Sequence, residues 1–343
     1  MNIFIYEFLT GGGCYALAKP PRSIPSLLSE GQAMVTALAS DFASIENVQV
    51  SLLGDRRIGL EVEHGHVQQV TSAAEEQTCF AALAAEADWT VVIAPEFDNL
   101  LIQRCEWVRA SGGRLLGPGA KTVALATNKQ RTAEHLTARG LRTPQGIVVD
   151  EGEPVPADIS YPAVLKPLDG AGSTNTDLLA TPDEIEALGP VAFDARVEAY
   201  HPGLPVSVAV LCGPREQRTL MPCGQRIADD GEFTYLGGSL PLSADLTDRA
   251  SSLASRAVAT LPDALGYIGF DLLLGEQPSE DVILEINPRL TTSYVGLRAA
   301  TDYNLAQAML EIADGQTSDL RFQDRSVEFT TDGIVRTTIE TAS

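Results

Sequence analysis

Two apolar stretches near the C-terminal end decide the fold: GFDLLL at residues 269–274 and VILEINPRL at residues 282–290. Both are typical of buried strands, and the loop GEQPSED (residues 275–281) between them is rich in turn-forming residues. Because side chains alternate along a strand, Asp271 and Glu285 are expected on paired strands of a hairpin, with Asn287 on the same face as Glu285. The stretch therefore predicts three oxygen-bearing side chains on one patch.

These oxygen ligands suit a magnesium ion. Mg²⁺ binds few protein groups and completes its shell with water and phosphate oxygens. An exposed acidic face is the alternative, but an unpaired carboxylate inside an apolar strand is costly, which favours a metal site. Mn²⁺ could replace Mg²⁺. Arg289, two residues beyond Asn287, could point at the same phosphates.

A second pattern is the stretch VLKPLDGAGSTNT at residues 164–176, where Lys166 ends an apolar strand and the following residues are small, polar or glycine. Glycines let backbone N–H groups approach a phosphate, and a lysine adds positive charge. The residues alone fit a flexible phosphate-covering loop and an ordinary hairpin turn equally well.

A third pattern is the tetrapeptide TNKQ at residues 127–130. Thr127 and Gln130 have the spacing of a capping box, which predicts a helix that begins here and ends near Gly140. A lysine at a helix N-terminus is mildly disfavoured by the helix dipole, so Lys129 is weakly indicated as functional.

The N-terminal third alternates strand-like and helix-like stretches, which is typical of a parallel α/β sheet with helices on both faces. Predicted strands cover residues 2–9, NVQVSLLGD, DWTVVIAPEF and RLLG. We expect an α/β fold with a Rossmann-like N-terminal lobe at 1–117, a central lobe at 118–200 that carries the Gly-rich loop, and a C-terminal lobe at 201–343 that carries the metal site.

The overall charge is −22, from 24 Lys plus Arg and 46 Asp plus Glu. A surface this acidic repels phosphate backbones and argues against nucleic acid as a partner. No apolar stretch approaches the roughly 20 residues that cross a bilayer, and Glu7 is untypical of a signal peptide. Five cysteines without a CxxC pairing are expected to be reduced thiols. These features predict a cytoplasmic protein that acts on small molecules; a homodimer is compatible with them.

The order of motifs resembles the ATP-grasp superfamily over residues 118–312: NK at 128–129, KP with its loop at 166–176, VEAY at 197–200, and then FD and ExNPR. The resemblance implies two α+β lobes that clasp ATP, preceded by a Rossmann-like pre-ATP-grasp lobe. Lys129 and Lys166 would hold the α- and β-phosphates. Asp271, Glu285 and Asn287 would bind one or two Mg²⁺ ions.

The resemblance also implies roles for the loop and the hinge. The loop at 170–175 would close over the triphosphate, with contacts from Gly170, Gly172, Ser173 and Thr174. Glu198 and the backbone of Ala199, Tyr200 and His201 would form the hinge that hydrogen-bonds adenine. Arg289, with Lys166, would act catalytically by stabilising the transferring phosphoryl group. The acidic residue that often holds ribose in this family is missing from HPGLPVSVAVLCG at residues 201–213.

A narrower resemblance covers most of the chain. IFIYEFLTGGG (3–13), LLSEGQAMVTALASDF (27–42) and the pairing of IAPEFDNLL with LLGPGAKTVALATNK look similar to the family of tyramine–glutamate ligase-like proteins of methanofuran and methylofuran biosynthesis. This implies a ligase that joins glutamate to tyramine or tyrosine through an acyl phosphate and releases ADP. Substrate contacts are expected from Arg289 or Arg298 for a carboxylate, and from Tyr294 and Glu7 for a phenolic amine. Residues 10–15 are a further candidate for substrate contact, but a tight strand-to-helix turn explains their three glycines slightly better.

Two other functions stay open. The chain could be an ATP-binding grasp-fold module without catalytic activity, although both lysines and all three metal-ligand positions are retained. It could also be an enzyme that forms carboxyphosphate, with bicarbonate in place of the organic acid. Dependence of ADP release on an acid and an amine would separate these alternatives from a ligase.

Overall fold

The computed structural model describes residues 1–17, 24–170 and 174–338. Within them, three sheets follow one another along the chain: a parallel sheet of four strands, an antiparallel sheet of four strands, and an antiparallel sheet of eight strands. The predicted α/β fold with a parallel N-terminal lobe is confirmed. The lobe boundaries at 117/118 and 200/201 stay predictions.

The first sheet has the strand order β3-β2-β1-β4. Its strands are β1 (Asn2–Glu7), β2 (Gln49–Asp55), β3 (His66–Val70) and β4 (Trp89–Ile93), and its helices are α1 (Ile24–Ala43), α2 (Ala73–Glu86) and α3 (Leu100–Ala110). The predicted strand RLLG is wrong, because Leu115 makes only an isolated bridge to Thr90. Strand β3 escaped prediction because its sequence, HVQQV, has two apolar residues and no clear alternation.

The second sheet has the order β5-β8-β6-β7 and a hydrophobic core of its own. Its strands are β5 (Gly146–Val149), β6 (Ala163–Pro167), β7 (Asp177–Leu179) and β8 (Ala195–Ala199); helices α4 (Ala120–Ala126) and α5 (Lys129–Thr137) precede it, and α6 (Pro182–Leu188) lies between β7 and β8. The predicted cap of α5 is wrong by one residue. Asn128, not Thr127, accepts the backbone N–H of Arg131, because its side chain stands three residues before that N–H.

The third sheet has the order β14-β13-β9-β11-β12-β15-β16, with β10 paired to β9. Its strands are β9 (Leu204–Cys212), β10 (Gln217–Thr219), β11 (Cys223–Ile227), β12 (Tyr235–Leu240), β13 (Gly266–Leu274), β14 (Val282–Asn287), β15 (Ser326–Thr330) and β16 (Val335–Thr338), and its helices are α7 (Ala244–Val258), α8 (Ser293–Ala299) and α9 (Leu305–Ala313). The predicted hairpin is present as β13 and β14, with Asp271 directly opposite Glu285.

One hydrophobic core joins the first and third sheets. It contains Ile5 and Phe42 from the N-terminal lobe together with Met309 and Phe329 from the C-terminal lobe. Helix α1 contacts both α8 and α9, which fixes the N-terminal lobe against the large sheet. In the part of the chain that the structure describes, no helix is both long and apolar enough to cross a membrane.

Candidate active site

A cavity of about 450 Å³, here called the central cavity, lies where the second and third sheets and helix α1 meet. Most of the residues predicted for the site line it. They are Lys129, Lys166, Gly170, Thr174, Glu198, Ala199, Tyr200, His201, Asp271, Glu285, Asn287 and Arg289. Gly172 and Ser173 lie outside the described residues. Residues that are separated by up to 160 positions in the sequence therefore share one cavity.

Lys129 is placed in the cavity by the start of helix α5. Its backbone N–H donates to the carbonyl oxygen of Leu168 at 2.8 Å, and its Nζ lies 3.3 Å from the carbonyl oxygen of Gly170. The same Nζ lies 3.3 Å from Oε2 of Glu285. Lys129 thus connects the Gly-rich loop to the predicted metal site, where a cation could neutralise phosphate oxygens.

Lys166 lies on β6 and is almost fully buried. Its Nζ is 2.5 Å from Oε1 of Glu198, and Nε of Arg196 donates to Oε2 of the same carboxylate at 2.8 Å. Arg196 is in turn held by the carbonyl oxygen of Pro144, at 2.7 Å, and by the side chain of Gln130. Both oxygens of Glu198 are therefore occupied in fixing two buried cations.

The contacts of Glu198 and its neighbours bear on the predicted adenine-binding hinge at residues 198–201. The backbone N–H groups of Ala199 and Tyr200 donate to the carbonyl oxygens of Gln145 and Pro162, at 2.8 and 3.0 Å. The predicted contact between this segment and adenine stays a prediction, but the Glu198 side chain faces Lys166 rather than open space. Arg196 was not among the residues predicted for the site. Its signal was the Arg-Val-Glu spacing at residues 196–198, which puts two opposite charges on one face of a buried strand.

The predicted metal ligands form one cluster on the β13–β14 hairpin. Oδ1 of Asp271 accepts a hydrogen bond from Nε2 of Gln225 at 2.9 Å, and Oδ2 accepts one from Nδ2 of Asn287 at 2.8 Å. Burial, and then the charge of Glu285, raise the pKa of Asp271 to about 6. A cation bound between two carboxylates that repel each other would favour the ionised form of both.

The donor set fits Mg²⁺. The cluster of Asp271, Glu285 and Asn287 offers two carboxylates and one amide. Among residues 1–17, 24–170 and 174–338, no group of three or more His, Cys, Asp or Glu side chains is arranged to hold a metal. Mg²⁺ is typically bound through one or two carboxylates together with water and substrate phosphates. Asp271, Glu285 and the amide oxygen of Asn287 would hold the ion.

Arg289 is held in place by the N-terminal lobe. Its Nε and Nη2 donate to Oε1 and Oε2 of Glu96 at 2.8 and 3.0 Å, and its Nη1 donates to the carbonyl oxygen of Leu290. Burial raises the pKa of Glu96, and the charge of Arg289 opposes that shift. A fork-to-fork pair of this kind fixes the guanidinium plane at the wall of the cavity.

Three residues expected to contact substrate lie elsewhere. The Tyr294 side chain is fully buried, and its hydroxyl donates to Oδ2 of Asp41 at 2.6 Å. Arg298 pairs with the same carboxylate, so both residues join α8 to α1. The Glu7 carboxylate accepts the backbone N–H groups of Leu9 and Thr10. None of these three side chains lines the central cavity, and each has a partner within the protein, so their contact with substrate stays a prediction that the cavity does not support.

The comparisons with known proteins agree with this geometry. Residues 48–123 match the model of the pre ATP-grasp 3 domain, and residues 126–293 match the model of the ATP-grasp domain. A solved structure of a putative ATP-grasp superfamily protein from Archaeoglobus fulgidus is similar in fold, with a TM-score of 0.70, 20% identity, and coverage of 96% of this chain and 92% of that one. The chain belongs to the ATP-grasp superfamily.

Within the superfamily, two named ligases are similar to this chain over most of their length. The chain is 24% identical over 328 residues to a tyramine–L-glutamate ligase of Methanocaldococcus jannaschii, covering 93% of this chain and 92% of the relative. It is 23% identical over 310 residues to the ligase of the same name from Methanocaldococcus fervens, covering 89% and 93%. The family expected from the order of motifs is confirmed.

Proposed function

We propose that this ATP-dependent carboxylate–amine ligase joins L-glutamate to tyramine, or to a closely related amine, and releases ADP and phosphate. The observation that carries the proposal is the convergence of two lysines, two facing carboxylates and Arg289 on the central cavity. The choice of substrates rests on the two similar tyramine–L-glutamate ligases, which match nearly the full length of the chain.

The chemistry follows from the weakness of a carboxylate as an electrophile. One oxygen of the glutamate carboxylate attacks the γ-phosphorus of ATP, and the bond to the β-phosphate oxygen breaks, so that ADP leaves. The resulting acyl phosphate has a good leaving group. The amine nitrogen, once deprotonated, attacks the acyl carbon, and inorganic phosphate departs with the bonding electrons. The products are an amide, ADP and phosphate.

The side chains act mainly by neutralising charge. Lys129 and Lys166 would bind the phosphate oxygens of ATP, and Arg289 would stabilise the phosphoryl group during transfer. Mg²⁺, when bound at Asp271, Glu285 and Asn287, supplies further positive charge to the phosphates. Closure of the loop at 170–175 would exclude water, which otherwise hydrolyses the acyl phosphate.

ADP release measured against a matrix of acids and amines tests the proposal. We expect ADP formation only when glutamate and a phenolic amine such as tyramine or tyrosine are both present. Bicarbonate-dependent ADP formation without an amino acid would instead indicate a carboxyphosphate-forming enzyme. Tight ATP binding with no turnover for any pair would indicate a binding module. The cytoplasmic location, the absence of nucleic-acid partners and a homodimer stay predictions.

A further inference from the structure

Glu30 is a further carboxylate in the wall of the central cavity, beside those of the predicted metal site and the hinge. It lies on helix α1 of the N-terminal lobe, and its Oε2 accepts a hydrogen bond from Oγ1 of Thr292 at 2.7 Å. The two residues are 262 positions apart in the sequence. The N-terminal lobe therefore contributes a carboxyl group to the wall of the central cavity.

Glu30 differs from the other glutamates of the cavity in its partners. Glu198 lies 2.5 Å from Lys166, and Glu285 lies 3.3 Å from Lys129. Within residues 1–17, 24–170 and 174–338, no Lys, Arg or His side chain lies within 4.0 Å of the Glu30 carboxylate. A largely buried carboxylate without a cation in direct contact is costly. Burial raises the pKa of Glu30, and the hydrogen bond from Thr292 and the charge of Arg289 oppose that shift.

Three other cavity residues add no charge. Thr291, Ser293 and Tyr235 line the same cavity, and the hydroxyls of Thr291 and Ser293 hydrogen-bond each other at 2.9 Å. Thr292, which donates to Glu30, follows Arg289 by three residues in the chain, and Glu30 and Arg289 both line the central cavity. An ammonium group bound to Glu30 would therefore lie in the same cavity as the proposed phosphoryl-transfer residue.

We propose that Glu30 binds the primary ammonium group of a substrate and holds it in the central cavity. The inference rests on the proposed function, which brings two ammonium groups to this site: the α-ammonium of glutamate and the ammonium of the acceptor amine. Both have the same chemistry, three N–H donors and one positive charge, and both match a buried carboxylate whose hydrogen bond comes from a neutral hydroxyl, that of Thr292. An ionised Glu30 would repel the phosphates of ATP and the side-chain carboxylate of glutamate.

The test compares the wild type with Glu30→Gln, Glu30→Asp and a control, Glu46→Gln. Glutamine keeps the shape of Glu30 and a hydrogen bond to Thr292, aspartate keeps the charge, and Glu46 is an exposed glutamate of the same lobe outside the cavity. Dissociation constants for tyramine, glutamate and glutarate are measured by calorimetry with Mg²⁺ and a non-hydrolysable ATP analogue. KM values for ATP, glutamate and tyramine are measured by ADP release.

Loss of a charge-assisted hydrogen bond should weaken binding of the ammonium ligand by about 10- to 100-fold in Glu30→Gln. We expect partial recovery in Glu30→Asp, no change in Glu46→Gln, and an unchanged KM for ATP. A change confined to tyramine assigns Glu30 to the acceptor. A change for glutamate that is absent for glutarate, which lacks the α-ammonium, assigns it to the acid.

Unchanged binding of both ammonium ligands in Glu30→Gln would overturn the inference, and so would a wild type that binds neither of them. A different result would contradict the proposed function while leaving the role of Glu30 intact. If the wild type binds tyramine and glutamate in a Glu30-dependent manner but forms no ADP from any pair, Glu30 is an ammonium site in a protein that does not ligate these substrates.

Discussion

Replacing Glu198 by glutamine should destabilise the central lobe and weaken the binding of ATP. Glu198 is the shared counter-charge of Lys166 and Arg196, and the side chains of all three are less than a tenth exposed. Removing one partner of a buried ion pair leaves an uncompensated charge and typically costs about 3–5 kcal/mol. We expect the free energy of unfolding to fall by an amount in that range.

The effect on ATP follows from the same contacts. Without Glu198, the Nζ of Lys166 is no longer fixed at the wall of the central cavity, and the KM for ATP should rise about tenfold, which corresponds to roughly 1.4 kcal/mol. Urea denaturation gives the stability, and ADP release gives the KM. Glu186→Gln is the matched control, because Glu186 is exposed on α6 of the same lobe and such a change alters stability by less than about 0.5 kcal/mol.

The two readouts separate two roles for Glu198. If its carboxylate served adenine alone, the KM for ATP would rise while the free energy of unfolding stayed at the wild-type value. A variant with wild-type stability would therefore refute the conclusion that Glu198 is the counter-ion of two buried cations. A loss of stability with an unchanged KM would refute the role of Lys166 in binding ATP.

Three further predictions concern the metal site and a histidine. Glu285→Gln should lower kcat at least 100-fold, because it removes a carboxylate that would hold the metal. The fold should stay intact, since the variant loses the ion pair with Lys129 but also relieves the repulsion that raises the pKa of Asp271. Circular dichroism checks the fold, Glu276→Gln in the exposed hairpin loop is the control, and near-normal turnover would contradict the metal assignment. Chelation by EDTA should abolish turnover, and Mg²⁺ or Mn²⁺ should restore it, while circular dichroism stays unchanged; turnover that persists after complete chelation would oppose a metal role. Burial, followed by the charge of Arg139, lowers the pKa of His135, so the unfolded chain binds a proton at this residue first. The contribution of His135 to the free energy of unfolding should therefore decrease as the pH falls from 7 to 5. His135→Gln should lack this decrease relative to the exposed control His64→Gln, and parallel slopes of the free energy of unfolding against pH would contradict the prediction.

The parts of the site that lie on one strand pair were predictable from the sequence. Alternation along two short apolar stretches placed Asp271 and Glu285 on paired strands of a hairpin, and the structure adds that the two residues lie directly opposite each other. The glycines after Lys166 and the start of a helix at Lys129 are likewise local signals. Each depends on residues within about 15 positions of one another, where periodicity and turn chemistry determine the backbone.

The contacts between lobes could not be predicted in this way. Arg289 pairs with Glu96 across 193 positions, and Thr292 with Glu30 across 262. No periodicity connects such residues, because their distance is set by how α1 packs against the third sheet. Tyr294 shows the converse error. Its position shortly after the ExNPR motif suggested a substrate wall, but the apolar face of α8 turns it into the shared core.

The central claim is that the cavity activates a carboxylate as an acyl phosphate before an amine attacks it. Turnover of glutamate carrying ¹⁸O in its carboxylates, with ATP, Mg²⁺ and tyramine, tests this claim most directly. We predict one ¹⁸O atom in each inorganic phosphate released, because the attacking carboxylate oxygen departs with the phosphoryl group. Amide formation accompanied by unlabelled phosphate would contradict it.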